Sequence, residues 1–253
     1  MRKDFSRQGA LYLAENLGNG RMGAARWIGD TGTVSISINE EEEKRKENYS
    51  GLRGTSVVVR TGLEITLEVN IRYADAENLA LALHGKLSTK AAGTISAELF
   101  PNDLVAGNYI ALKHGGVSNL VLTDSKVSTP TTLVEGQHYR LNSAQGGVIE
   151  MLDMASLTQP IQAAYSYTGA KNLSVLTKTP KPMYLFMDSI NTVDGSRERI
   201  HLYKVQFKPV ASMGLIDESL GELTLAAECL ADGVNQLDPD LGAYGRIEQQ
   251  DEV

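Results

Sequence analysis

One cysteine and one tryptophan, Cys229 and Trp27, occur among 253 residues. A single cysteine excludes an intrachain disulfide and a zinc site built from cysteines. Cys229 keeps phase with Leu223, Leu225 and Ala227, so it reads as a small buried hydrophobe rather than a nucleophile. Long apolar runs are also lacking. No stretch reaches the roughly 18 apolar residues that a spanning helix needs, and no apolar segment follows Met1-Arg2-Lys3-Asp4. Neither a membrane span nor a signal peptide is expected. Positive charge is in deficit, with Lys+Arg 24 against Asp+Glu 31, a net charge of -7 and a pI near 5.2. Such a chain is poorly suited to gripping phosphates, because affinity for nucleic acid comes mainly from neutralising them. It could still surround DNA without binding it.

Catalytic and metal motifs are equally scarce. His84, His114, His138 and His201 are scattered, with no HExxH or His-x-His pairing, so no metal site is expected. There is no G-x-S-x-G and no P-loop. Gly18-Asn19-Gly20-Arg21-Met22-Gly23 matches G-x-G-x-x-G, but no β-branched strand precedes it and Gly29-Asp30-Thr31-Gly32 breaks any following helix. It reads as a glycine-rich connector. Asp188, Asp194 and Glu198 include two acids flanking a turn, and Asp238-Pro239-Asp240 lacks the rest of a calcium loop. Two glycosylation sequons, at Asn48 and Asn172, carry no weight without a secretory signal. The chain is expected to be neither an enzyme nor a cofactor carrier.

What is present is a strand pattern. Leu63, Ile65, Leu67, Val69, Ile71 and Tyr73 alternate with Glu64, Thr66, Glu68, Asn70 and Arg72. This predicts a long strand with one dry and one wet face. The period then changes over residues 74–85 and predicts a short helix. Asp75 can cap its start, Glu77 suits the positive end of the dipole, and Gly85 can take the left-handed stop conformation. The helix is apolar over most of its circumference and is expected to pack on a sheet.

Residues 1–29 are assigned to an N-terminal arm, whose apolar cluster over 9–17 is either a strand or a docked segment. Residues 33–38 alternate as a strand. Glu40, Glu41, Glu42, Glu43, Lys44, Arg45, Lys46 and Glu47 follow, the most charged stretch of the chain. Good i,i+4 pairs fit a solvated loop or short helix; complementary charge also fits a loop that docks on another subunit. Residues 30–90 and 166–235 form the expected core, with later strands at 183–188, 199–207 and 221–230. Residues 91–165 hold short strands at close spacing (94–100, 109–112, 120–123, 131–134, 138–141 and 148–151) and read as a β-rich insertion. A strand over 161–167 is expected to return the chain to the main body. Residues 236–253 are expected to form a mobile tail.

The run Arg60-Thr61-Gly62-Leu63-Glu64-Ile65-Thr66-Leu67, followed by Ala76-Glu77-Asn78-Leu79-Ala80-Leu81-Ala82-Leu83, resembles the major tail tube proteins of long-tailed bacteriophages. So do the charged stretch ending in Asn48-Tyr49-Ser50-Gly51, the piece Leu133-Val134-Glu135-Gly136…Tyr139, and the pair Leu202-Tyr203-Lys204-Val205…Leu220-Gly221-Glu222-Leu223 with Ala231-Asp232. The resemblance covers about residues 30–85 and 180–233. It implies a mainly β fold, a tail-tube-type β-sandwich or barrel with one flanking α-helix and the β-rich insertion on the outer surface. It implies hexameric rings stacked into a tube in the virion tail, after synthesis in the host cytoplasm. The implied partners are further copies of the chain, a tape-measure protein, and tail terminator and tail-tip initiator proteins. DNA would pass through the lumen without specific binding. Glu64, Thr66, Glu68 and Asn70 would then face the lumen, and the loop 40–47 would reach an adjacent subunit or ring. The alternative is a carbohydrate-binding β-sandwich on a virion or cell surface. Such modules expose clustered aromatics for sugar stacking, and here the ten tyrosines are dispersed.

Overall fold

The computed structural model describes residues 4–178 and 181–250, and the chain divides into two compact units, 1–87 with 173–253 and 88–172. It is mainly β with one α-helix among the described residues. In chain order the elements are β1 (Arg7–Asn16), β2 (Met22–Trp27), β3 (Thr31–Lys46), β4 (Thr55–Ile71), α1 (Ala76–Ala82), β5 (Leu87–Lys90), β6 (Gly93–Leu99), β7 (Tyr109–Ala111) and β8 (Val117–Thr123). Then come β9 (Tyr139–Ser143), β10 (Val148–Met151), β11 (Gln162–Tyr167), β12 (Ala170–Leu173), β13 (Met183–Asn191), β14 (Arg197–Phe207), β15 (Leu223–Cys229) and β16 (Gly245–Gln249).

The first unit is built on one eight-stranded sheet in the order β2-β1-β13-β14-β15-β4-β3, with β16 also paired to β14. The predicted alternation holds in β4: Ile65, Leu67, Val69 and Ile71 are buried. They meet Cys229, Ala227, Leu225 and Leu223 of β15 across the ladder, which confirms Cys229 as a core residue. Burial pushes its thiol pKa up to about 11, which keeps it an unreactive thiol. Tyr73 lies beyond the strand end, half-exposed, with its ring edge-on to Trp27 at 5.9 Å.

The sheet does not lie flat. Strands sit about 4.8 Å apart, so β1 and β3 would stand roughly 24 Å apart in a plane. Yet Gly9 of β1 and Ile36 of β3 line one cavity of ≈ 690 Å³. The sheet is rolled, and Leu11, Leu13 and Leu185 join the β4 and β15 side chains in one core. β14 allows this because its first half pairs with β16 and its last three residues with β15.

Helix α1 starts where the sequence predicts. Asp75 Oδ1 accepts the backbone N–H of Asn78 at 2.7 Å. The stop differs: His84, at φ 46, takes the left-handed conformation in place of Gly85. A Cβ at Gly85 would lie 2.1 Å from the Ser174 carbonyl oxygen, so glycine is needed there for close approach instead. Leu79, Leu81 and Ala82 pack on the core. The anchor itself is polar. Fully buried Asn78 donates to the carbonyls of Ile28 and Tyr73, both at 2.8 Å, and accepts from Arg26 at 2.8 Å. Each buried group finds a partner, as burial demands.

Both chain ends depart from expectation. The N-terminal segment is no arm; of the two readings of residues 9–17 the strand holds, since β1 lies inside the sheet, paired with β2 on one side and β13 on the other. The glycine-rich stretch is the turn between β1 and β2, closed by Leu17 N–H donating to the Arg21 carbonyl. The C-terminal tail is not free either, because Gly245–Gln249 forms β16 against β14. Met1, Arg2, Lys3, Asp251, Glu252 and Val253 lie outside the described residues.

The second unit has its own core, centred on Leu122, Ile149, Met151, Ile161 and Ala163. Two three-stranded sheets enclose it, β6-β11-β8 and β7-β10-β9. The segment 131–134 makes only an isolated bridge between Thr132 and Thr123. Buried Asp124 holds it there, accepting backbone N–H groups of Thr131, Lys126 and Thr158. β11 does not return the chain to the first unit but stands at the centre of a second-unit sheet. β12 then pairs with β5 as a two-stranded ribbon.

Candidate functional site

The charged stretch is the largest departure from sequence reasoning. Residues 40–46 are neither loop nor helix; they are the outer half of β3, paired from Glu40↔Leu63 to Lys46↔Thr55 with β4. The β-branched run Val57-Val58-Val59 supplies the partner strand, and β-branched residues favour extended backbone. The i,i+4 charge pairs give way to strand pairs. Glu40 meets Arg60 across the ladder at 2.8 Å, and Glu42 meets Lys44 two residues along at 3.0 Å. Bulges between Glu41 and Glu42 and between Arg45 and Lys46 add twist. The result is a two-stranded arm with every residue from Glu40 to Lys46 and from Thr55 to Thr61 exposed.

Glu47 closes the tip. Its carboxylate accepts the backbone N–H groups of Tyr49 at 3.0 Å and Ser50 at 2.9 Å, and the Ser50 hydroxyl. The Ser50 hydroxyl bond leads in holding its pKa below the usual carboxylate range. Gly51 supplies the left-handed residue of the turn, at φ 80. Tyr49 and Leu52 stand out from this tip, 90% and 87% exposed.

Register assigns the faces, since residues directly opposite across a ladder share one side. Glu64, Thr66, Glu68 and Asn70 share the side of β4 that faces away from the core. Ser35, Ser37 and Asn39 of β3 stand opposite Glu68, Thr66 and Glu64, and Glu41 stands opposite Gly62. On the other flank Thr224, Ala226 and Glu228 of β15 stand opposite Asn70, Glu68 and Thr66. The four residues named from sequence thus lie at the centre of a three-stranded polar surface. The flanking strands were readable in the same period, as the residues between Val34, Ile36 and Ile38 and between Leu223, Leu225 and Ala227. Glu41, Glu64, Glu68 and Glu228 make this surface acidic, and Lys208 approaches Glu228 at 3.8 Å.

The far end of the same strands carries a different cluster. Arg72 pairs with Glu222 at 3.0 Å and Asp30 at 3.1 Å; hydrogen bonding to Glu222, then Asp30, raises its pKa. Glu222 also accepts from Asn70 Nδ2 at 2.7 Å. This network ties the starts of β3 and β15 to the end of β4.

Among the described residues, no group of three or more His, Cys, Asp or Glu side chains is placed to hold a metal ion. No described helix is long and apolar enough to cross a membrane. A second cavity, of ≈ 760 Å³, lies beside α1 between Arg26, His84, Lys86 and Phe207. No curated protein matches the chain. A family model matches residues 4–248, nearly the whole length, and the chain belongs to the family described as protein of unknown function UCP028589.

Proposed function

We propose that the chain is a structural subunit that assembles with identical copies into hexameric rings, stacked as the tail tube of a bacteriophage virion. The single observation that carries this reading is the β3–β4 arm. An isolated two-stranded ribbon is marginal in water, and this one has both faces wet. Its outer edge at β3 leaves backbone N–H and C=O groups unpaired in the single copy. A neighbouring copy that adds to that edge supplies the missing hydrogen bonds. The same addition extends the polar surface of Ser35, Ser37, Glu64, Thr66 and Glu68 from copy to copy. Closed into a ring, that surface becomes an acidic wall around a lumen, which repels phosphates and lets DNA slide. The tape-measure protein, the tail terminator and the tail-tip initiator are the partners this role requires. The tail-tube-type sandwich belongs to the same proposal.

Electron microscopy of the purified protein tests it. Rings or tubes are expected. Isolated particles with glycan affinity would favour the carbohydrate-binding alternative. A variant that replaces residues 42–61 by Asn-Gly removes both arm strands at a matched point in the ladder, between Glu41 and its partner Gly62. It should remain folded and single.

A further inference from the structure

The two ends of β4 present surfaces that fit each other and not themselves. At the tip Lys44 is paired with Glu42, and Arg45, Lys46 and Arg53 outnumber Glu47 by two positive charges. The Glu47 carboxylate is occupied by the turn it closes. Tyr49 and Leu52 project between these cations, almost fully exposed. At the opposite end, the loop entering β15 carries Asp217, Glu218 and Glu222 and no basic residue between 211 and 222. That is three negative charges, and the nearby Asp30 and Arg72 cancel one another. Leu215, Ile216 and Leu220 stand out from this loop at 86%, 95% and 97% exposed. The loop is not an open coil. The Asp217 carboxylate lies over Gly214 and Gly221, where a Cβ would meet it at 2.1 and 3.0 Å. So the three apolar side chains project from a compact turn rather than folding beneath it.

The two surfaces lie roughly 50 Å apart along one strand, by the usual rise per residue. A copy therefore cannot bring them together itself. We infer that the arm tip of one copy docks on the 211–222 loop of another, with Tyr49 and Leu52 packed against Leu215, Ile216 and Leu220 and the basic tip set against Asp217 and Glu218. This contact is head-to-tail and does not close on a pair, so it propagates along the strand direction. It rests on the tube reading above and identifies the surface on which one layer receives the next.

Two exposed-site variants test it. The tip variant carries Arg45→Glu and Lys46→Glu; the loop variant carries Leu215→Ser and Ile216→Ser. Each should melt at the wild-type temperature, since none of the four side chains is buried. Each alone should lose tubes. Mixed in equal amounts, they should form assemblies two layers deep and no longer, because one variant keeps an intact loop and the other an intact tip. A further combination, Arg45→Glu and Lys46→Glu with Asp217→Arg and Glu218→Arg, should restore long tubes. Wild-type chains that stay single at every concentration would overturn the tube reading itself. Wild-type tubes that persist unchanged in both variants would overturn the docking alone.

Discussion

Arg7 Nε lies 2.5 Å from Glu198 Oε2, a contact that joins positions 191 residues apart. Glu198 is 5% exposed and also accepts from Gln249 Nε2 at 3.0 Å. One buried carboxylate thus ties the first strand and the last to β14. Hydrogen bonding to Arg7, then to Gln249, holds its pKa below the usual value despite burial.

A carboxylate with a depressed folded pKa contributes stability that is complete above its unfolded value and is lost as pH falls through the folded one. Glu198→Gln should therefore cost about 1–2 kcal/mol at neutral pH, the worth of charged hydrogen bonds to a partly exposed arginine. Urea unfolding should show the deficit at pH 7 and its disappearance once acid has protonated the wild-type carboxyl. A deficit that stays constant with pH would mean that packing, not charge, is what Glu198 supplies.

His201 gives a slope over a different pH range. Its Nδ1 lies 3.0 Å from the Tyr184 hydroxyl, and its buried Nε2 has no hydrogen-bond partner among the described residues. Burial first, then the charge of Arg246, lowers its pKa to about 4, against the opposing pull of Glu248 at 3.9 Å. Between the unfolded value of 6.5 and about 4, the unfolded chain takes up a proton that the folded chain refuses. Stability should fall across that window by at most about 3 kcal/mol. His201→Gln should flatten the slope in chemical melts at pH 7 and pH 4.

The acidic surface sets the third expectation. Glu64→Lys with Glu68→Lys replaces two exposed acids and touches no core residue, so under the tube proposal assembly should proceed as before. Under that same proposal, DNA release from virions carrying the variant should slow, since a cationic lumen wall would hold phosphates. Ejection at the wild-type rate, followed by light scattering or potassium efflux, would show that the surface does not line the DNA path.

The two cores share no residue, which predicts that residues 88–172 fold by themselves. The isolated fragment should give dispersed amide resonances and a cooperative melt. Leu122→Ala, at a fully buried site, should cost that unit about 2–4 kcal/mol and leave the melting of the first unit unchanged.

How much of this was legible depended on where the deciding neighbours lie. The wet and dry faces of β4, the Asp75 cap of α1 and the burial of Cys229 follow from side chains a few positions apart. Period and capping report such local choices, and the four polar residues of the candidate surface were read correctly as one face. The charged stretch was misread because its i,i+4 pairs imitate a helix surface, while the β-branched strand that holds it extended begins nine residues further on. β16 escaped and β1 was left open between a strand and a docked segment for a related reason: their partners, β14 and β13, stand far away in sequence, and neither segment has a long β-branched run of its own.

Which side of β4 is dry and where the helix begins were determined by the sequence alone, through patterns that repeat within a turn or a pleat. Only the tertiary structure decided that both chain ends complete one rolled sheet, that the charged run is an arm, and that surfaces of opposite charge stand at the two ends of β4. Those choices are made by pairing between distant segments, and the free energy of a ladder belongs to neither strand by itself.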